Sequence, residues 1–318
     1  MVKAVALLML LILKANAFPL WFQEYTASHR KAYTPEEAEA AFRVLEPKHD
    51  HIQSHSGGLS LRLHHFSDRP RVARRLNTER ASPTPVQKKN LALPLTFDWR
   101  THGAVTDVQE QGTCGGCYCF AGMGSLEYWW KKKTGRLERL SVQECISCTK
   151  SRIQDSEGCE GGLMEDLYEL AKTYPIGRES FDPFKMRTGR CPARAPKPAL
   201  RVKSYVSMSD EWGSPIEQEL AHHLIAHGPI PVGISSQSMN FELYKGGILR
   251  GSHCSGEIDH AVTVVGFGIE GDTRYWIVKN SWGTRWGVDG YFYLERDKKA
   301  CGINSYASFV TAVEYISL

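Results

Sequence analysis

The sequence predicts an α+β protein with two lobes, on three observations. Helix-like apolar spacing comes first, as in Phe120, Met123, Leu126, Tyr128, Trp129 and Trp130. Strand-like runs take over from about Lys203. All nine cysteines follow residue 113, which sets the front of the chain apart. At 318 residues there is room for one large domain or two modest ones, and a hydrophobic content of 42% is that of a globular protein.

Residues 1–17 read as a secretory signal: Lys3 in a charged start, an apolar run over 4–13, and Ala15-Asn16-Ala17 as a cleavage triplet. The alternative, a buried N-terminal helix, leaves that triplet unexplained. The run is too short to span a bilayer and no later stretch is long enough, so no membrane span is expected. Residues 18–92 form a separate unit. Phe42, Leu45 and Ile52 predict a helix over 36–55, bent or broken at Pro47 and ended by Gly57-Gly58, and Leu59, Leu61 and Leu63 alternate as a short strand. Six of the twelve histidines lie here: His29, His49, His51, His55, His64 and His65. They are either a solvated polar surface or a segment that gains charge as pH falls towards ~5. Residues 1–92 carry 14 Lys+Arg against 8 Asp+Glu and the remainder 25 against 27, so the net charge of +4 belongs to the front. Arg69, Arg71, Arg74, Arg75, Arg80, Lys88 and Lys89 fall in a Pro-containing linker. In a secreted chain this reads as a protease-accessible connector, and no nucleic-acid partner is expected. Cysteine-free, basic and ended by a linker, residues 18–92 have the character of a removable pro-segment.

In residues 93–318, short helices are predicted at 142–148, with Ser141 and Glu144 in a capping-box pattern, and at 164–172. Between them Gly158-Cys159-Glu160-Gly161-Gly162 is a tight loop that lets backbone approach a ligand. A Pro-rich passage over 174–198 leads to strands, clearest at 230–234, 261–267, 275–278 and 290–294.

The stretch from Gln111 to Phe120 carries the chemistry. Small residues run into Cys117, and a helix-like segment follows. A thiol at a helix start sits at the positive end of the dipole, where its thiolate, the nucleophile, is favoured. Such a thiol needs a base and a group to orient the base. Among the histidines after residue 93, His260 stands at the mouth of a buried strand, one hairpin before Asn280-Ser281-Trp282-Gly283. The Asn280 amide can accept from one imidazole nitrogen while the other faces the thiol, with Trp282 excluding water. His260 and Asn280 follow Cys117 by 143 and 163 residues.

Four motifs in order then mark a family. Gln111…Cys114-Gly115-Gly116-Cys117-Tyr118, Gly158-Cys159-Glu160-Gly161-Gly162, His260-Ala261 and Asn280-Ser281-Trp282-Gly283-Thr284-Arg285-Trp286-Gly287 resemble the motifs of papain-family cysteine peptidases. The resemblance covers residues 93–318 end to end. Within the family it points to the cathepsin L-like group, nearest to cathepsin O-type sequences, with a virus-encoded cathepsin as another source. It implies a two-lobed papain-like fold, a helical left lobe and a β-barrel-like right lobe with the cleft between them. It implies a secreted or lysosomal cysteine endopeptidase made as a proenzyme, with Cys117 as nucleophile, His260 as base and Asn280 as its orienter. Gln111 and the Cys117 N–H would be oxyanion donors. Gly161 and Gly162 would hold the substrate as an added strand. Leu163, Met164, Gly233, Ile258 and Ala261 would line an apolar P2 pocket, shortened by Tyr306 and favouring Val or Leu over Phe. Expected partners are peptide and protein substrates, the chain's own pro-segment and cystatin-type inhibitors; a monomer without cofactor or metal is expected. The second functional class is a peptide-binding relative with a dead site, against which the intact Cys117, His260 and Asn280 stand.

The family's disulfides map to Cys114–Cys159, Cys148–Cys191 and Cys254–Cys301. Cys119 and Cys145 are extra, either two buried free thiols, slightly the favoured reading, or a fourth bridge. Cys114-x-x-Cys117 and Cys145-x-x-Cys148 would also suit zinc, but 27 residues intervene and a secreted chain favours disulfides. Departures from the family are Tyr118 for Trp, Gly116 for Ser, and an eroded pro-segment motif. Its helix positions read Glu37, Ala41, Leu45, Lys48, Ile52 and Ser56, and its later element reads Arg62, His64, Phe66 and Asp68. No Asn-x-Ser/Thr sequon occurs, so a glycan-dependent route to lysosomes has no support in the sequence.

Overall fold

Two helices and a short strand precede the main body. The computed structural model describes residues 18–55, 58–69, 92–194, 197–209 and 216–317, the Gln218 side chain excepted. The expected signal, Ser56, Gly57 and the linker residues Arg71, Arg74, Arg75, Arg80, Lys88 and Lys89 lie outside this range. Helix α1 spans Leu20–Ser28 and α2 Pro35–Ser54. The start of α2 is fixed twice: the Thr34 hydroxyl accepts from the Glu37 N–H, and the Glu37 carboxylate accepts from the Thr34 N–H. Pro47 does not break this helix, contrary to the sequence expectation. The proline forfeits one helix bond, but neighbours on either side are anchored by tertiary contacts. Leu45 is fully buried with Phe22, Tyr25 and Ala41, and Lys48 is ion-paired. Asp68 ties the segment together, accepting from Lys31 Nζ at 2.8 Å and Tyr33 Oη at 2.5 Å. Although burial opposes it, these donors hold the Asp68 carboxyl below its usual range.

The expected alternating strand is shorter than predicted, β1 at Ser60–Leu61, and pairs antiparallel with β6 at Tyr244–Gly246. After β2 (Phe97–Asp98) come α3 (Cys117–Thr134), α4 (Val142–Arg152) and α5 (Met164–Thr173). Ser141 caps α4 by accepting from the Glu144 N–H, but Glu144 turns away from the box and accepts from the Gly177 N–H. Strands β3 (Ile176–Gly177) and β4 (Ala199–Met208) and helix α6 (Ile216–His227) lead to β5 (Ile230–Ile234). The short helix α7 (Met239–Glu242) and β7 (Ile248–Leu249) flank β6, and β8 (His260–Glu270), β9 (Thr273–Lys279), β10 (Tyr291–Glu295) and β11 (Ala307–Ile316) complete the chain.

Nine strands form one sheet in the order β3-β4-β11-β5-β8-β9-β10-β7, with β2 beside β8. The expected α+β architecture is present, with a sheet-rich second part; the described strands run as an open path from β3 to β7 and close no barrel. Two cores result. One joins α3, α4 and α5, with Tyr118, Leu126, Leu167 and Tyr168 fully buried; the other lies among β5, β8, β9 and β10 with Trp276, Trp286 and Phe292. Helix α3 packs on α4 and α5 and also on β5, β8 and β11, so β8 is buried on both faces for its first nine residues. The N-terminus of α3 and the first residue of β8 meet where the two cores meet. Among the described residues no helix is long and apolar enough to cross a membrane.

Candidate active site

Cys117 is the first residue of α3 and His260 the first of β8, so two rigid elements present them to one cavity of ≈ 200 Å³. In the β5–β8 pairing His260 lies opposite Ile234, and the β8–β9 hairpin returns the chain to Asn280, one residue beyond β9. His260 Nε2–H donates to Asn280 Oδ1 at 2.8 Å, and the Ser281 N–H donates to the same oxygen at 2.8 Å. Two donors on one oxygen fix the amide orientation and the imidazole tautomer, leaving Nδ1 as the other ring nitrogen. The Trp282 ring stacks on His260 with centroids 5.1 Å apart. His260 and Asn280 are buried, so this bond is held out of water.

Gln111 lines the same cavity. Its Oε1 accepts from the Ser281 hydroxyl at 2.5 Å, and its Nε2 donates to the Cys114 carbonyl at 2.9 Å. An amide nitrogen carries two hydrogens, so one remains for a ligand. Sequence reasoning did not single out Ser281, although it lies inside the Asn280-Ser281-Trp282-Gly283 motif that was read. The base of the hairpin rests on a buried polar chain. Lys279 Nζ donates to Thr106 Oγ1 at 3.0 Å, and that hydroxyl donates to Glu127 Oε2 at 2.6 Å. Burial pushes the Lys279 ammonium down and the Glu127 carboxyl up, each opposed by the charge of the other.

The thiol differs from the sequence expectation. Burial pushes Cys117 up to about 11, outweighing the backbone donors of Ala261 and the helix N-terminus that pull it down. His64, Phe66 and Arg69 of the front segment form part of the wall of the same cavity.

The two departures beside the nucleophile have a packing basis. A Cβ on Gly116 would stand 2.7 Å from Ile146 Cδ1 and 3.3 Å from Cys114 Sγ, space that the family's serine would need. Tyr118 is fully buried, its hydroxyl 2.9 Å from Thr149 Oγ1, and a Cβ on Gly162 would stand 2.7 Å from its ring. Gly161 has φ +137°, a conformation that L side chains rarely adopt.

Leu163, Met164, Ala261 and Tyr306 share one core cluster, with Ile258 packed against it. A Cβ on Gly233 would lie 2.8 Å from Ile258 Cγ2 and 3.4 Å from the Tyr306 ring. These residues come together, but they do not line the cavity that holds Cys117 and His260, and among the described residues the buried Tyr306 hydroxyl has no hydrogen-bond partner. The sulfurs bond as Cys114–Cys159, Cys148–Cys191, Cys254–Cys301 and Cys119–Cys145, leaving Cys117 as the one free cysteine. The last pair corrects the slight preference for two buried free thiols. Cys119 on α3 and Cys145 on α4 have Cα atoms 5.9 Å apart, within bridging reach.

This arrangement, a thiol at a helix start lining one cavity with a histidine held by an asparagine, belongs to a known class. The family model described as "Papain family cysteine protease" matches residues 93–311, and the chain belongs to that family. Its relatives include cathepsin 7 of Mus musculus, 32% identical over 307 residues covering 91% of each chain. Cathepsin S of Mus musculus is 35% identical over 239 residues, covering 74% of this chain and 69% of the relative. Among solved structures, digestive procathepsin L 3 of Tenebrio molitor larval midgut matches with TM-score 0.79 at 26% identity, over 92% of this chain and 98% of the other. The protein is thus a cysteine protease whose structural neighbours include proenzymes.

Proposed function

We propose that the chain is the proenzyme of a cysteine endopeptidase of the secretory pathway, lysosomal or extracellular, with residues 1–17 as signal, 18–92 as inhibitory pro-segment and 93–318 as the peptidase. The observation that carries the reading is the 2.8 Å His260–Asn280 bond in the same cavity as the sole free cysteine. Cys117 Sγ attacks the scissile carbonyl carbon as its proton passes to His260. The oxyanion is met by Gln111 Nε2–H and the Cys117 N–H. His260 returns the proton to the leaving amine, the C–N bond breaks and an acyl-enzyme remains. Water, deprotonated by His260, then releases the acid and restores the thiol. Exposing the proform to acid with a thiol-directed active-site probe tests this: wild type labels and Cys117→Ala does not, whereas equal labelling would refute it. Cystatin-type inhibitors are expected to bind the opened cleft of the monomer.

The contacts of the front segment support a blocking role. Its β1 adds to β6, and Arg62 Nη2 donates to the Arg285 carbonyl at 2.5 Å. Two of its histidines are buried at the contact. Burial pushes His64 down to about 3, assisted by neighbouring His65, Lys48 and His29. Burial also lowers His65, assisted by Arg285 and Lys31 and opposed by Glu110. Docking thus requires neutral imidazoles. A histidine whose docked pKa is depressed supports docking above its free value of ~6.5, and that support is lost as pH falls below it. Replacing His64 and His65 by glutamine is expected to move activation to lower pH, whereas replacing His49, which stacks on Trp21, is not. An unchanged activation profile in the double variant would sink the idea.

At P2, the close packing of Tyr306 and Ile258 around Gly233 supports a short apolar subsite. A peptide-library profile should be led by Val or Leu; one led by Phe or Arg would refute it.

A further inference from the structure

We infer that Glu242 and Glu110 select substrates with a lysine or arginine on the C-terminal side of the scissile bond; this rests on the peptidase reading above. His260 protonates the leaving amine, so the departing half of the substrate runs past His260 and Trp282, away from the Gly161–Gly162 strand. Two carboxylates flank that half. Glu242 ends α7, lines the cavity with Trp282, and its backbone carbonyl accepts from Trp286 Nε1–H. Glu110 pairs with Trp282 in a backbone bridge, its carboxylate against Gly283.

The front segment shows what these carboxylates hold. Lys48 Nζ sits 2.5 Å from Glu242 Oε1, with side chains only 8% and 13% exposed, and His65 Nε2 lies 3.1 Å from Glu110 Oε2. Each acid of this rim is partnered by a nitrogen cation or a proton-donating imidazole from a peptide segment that departs on activation, Glu242 largely covered by its partner and Glu110 partly exposed. Removing residues 18–92 uncovers Glu242 and strips Glu110 of its partner, both beside Trp282. A flexible cationic side chain leaving past His260 meets the same two groups that Lys48 and His65 occupied, with its alkyl stem along Trp282. A glutamate there meets like charge.

The test uses mature enzyme from the full-length chain and internally quenched peptides identical on the acyl side. Arginine, lysine, glutamine or glutamate is placed at the first or second position after the scissile bond. In wild type, kcat/KM for the arginine or lysine peptide should exceed that for the glutamate peptide roughly three- to tenfold, the range of one or two partly exposed ion pairs. The ratio should shrink towards unity in 1 M salt. Glu242→Gln and Glu110→Gln should each reduce the ratio, Glu242→Asp should retain part of it, and Glu242→Lys should invert it. Should the glutamine variants fold poorly, the salt dependence in wild type alone decides. A ratio near one in wild type, or one indifferent to salt and to both variants, overturns the inference while leaving the peptidase reading intact. Cleavage of no peptide by wild type overturns both.

Discussion

Replacing Cys117 by alanine is expected to abolish turnover, by ~10⁴-fold or more, and replacing His260 by alanine should cost about as much. The double variant should be hardly worse than either single one, because nucleophile and base act as one unit through a single proton transfer. Asn280→Ala should cost less. Removing the amide frees the imidazole that α3 and Trp282 still confine, and the loss should appear in kcat rather than KM. The same variant leaves the Ser281 N–H, which now donates to Asn280 Oδ1, without its acceptor, so some loss of stability should accompany it. Progress curves on one fluorogenic peptide across the four enzymes check this. A double variant whose losses multiply would show that the two residues act independently and would contradict the mechanism.

Substituting Lys48 by methionine should release the front segment at neutral pH. Lys48 reaches across from α2 to Glu242 and also donates to the Ser67 carbonyl at 2.7 Å. Methionine keeps the apolar stem but leaves Glu242 covered and unpaired, a loss on the order of 3–5 kcal/mol for a buried pair broken on one side. That corresponds to at least a hundredfold weaker docking. The variant proform should react with a thiol probe at pH values where wild type does not. Pairing Lys48→Met with Glu242→Gln should recover part of the loss, since no charge is then stranded. Wild-type probe kinetics in Lys48→Met would mean that the ion pair contributes little to closure.

The reactive thiol illustrates where reading from sequence stops. A cysteine opening a helix places backbone N–H donors at Cys117, and these pull its pKa down without prevailing. Burial outweighs that pull and raises the thiol, and the cavity that Cys117 lines is walled in part by His64, Phe66 and Arg69, far away in the chain. Pro47 is a similar case. Its local effect on α2 was read from the residue type, but Leu45 and Lys48 are held by partners that only the folded chain supplies.

The sequence by itself determined the α+β character, the order of helices before strands, and the candidate site at Cys117, His260, Asn280 and Gln111. Each of these is written in short-range patterns: apolar periodicity, glycine loops, and motifs a few residues long at a set separation. Only the tertiary structure decided that the sheet stays open and that Cys119 meets Cys145. It also decided that Ser281 aims the Gln111 amide, that Glu242 faces the Lys48 ammonium of the front segment, and that Glu110 faces its His65 imidazole. Those outcomes depend on distances between residues remote in sequence, set by how separate elements pack, and no local pattern encodes them.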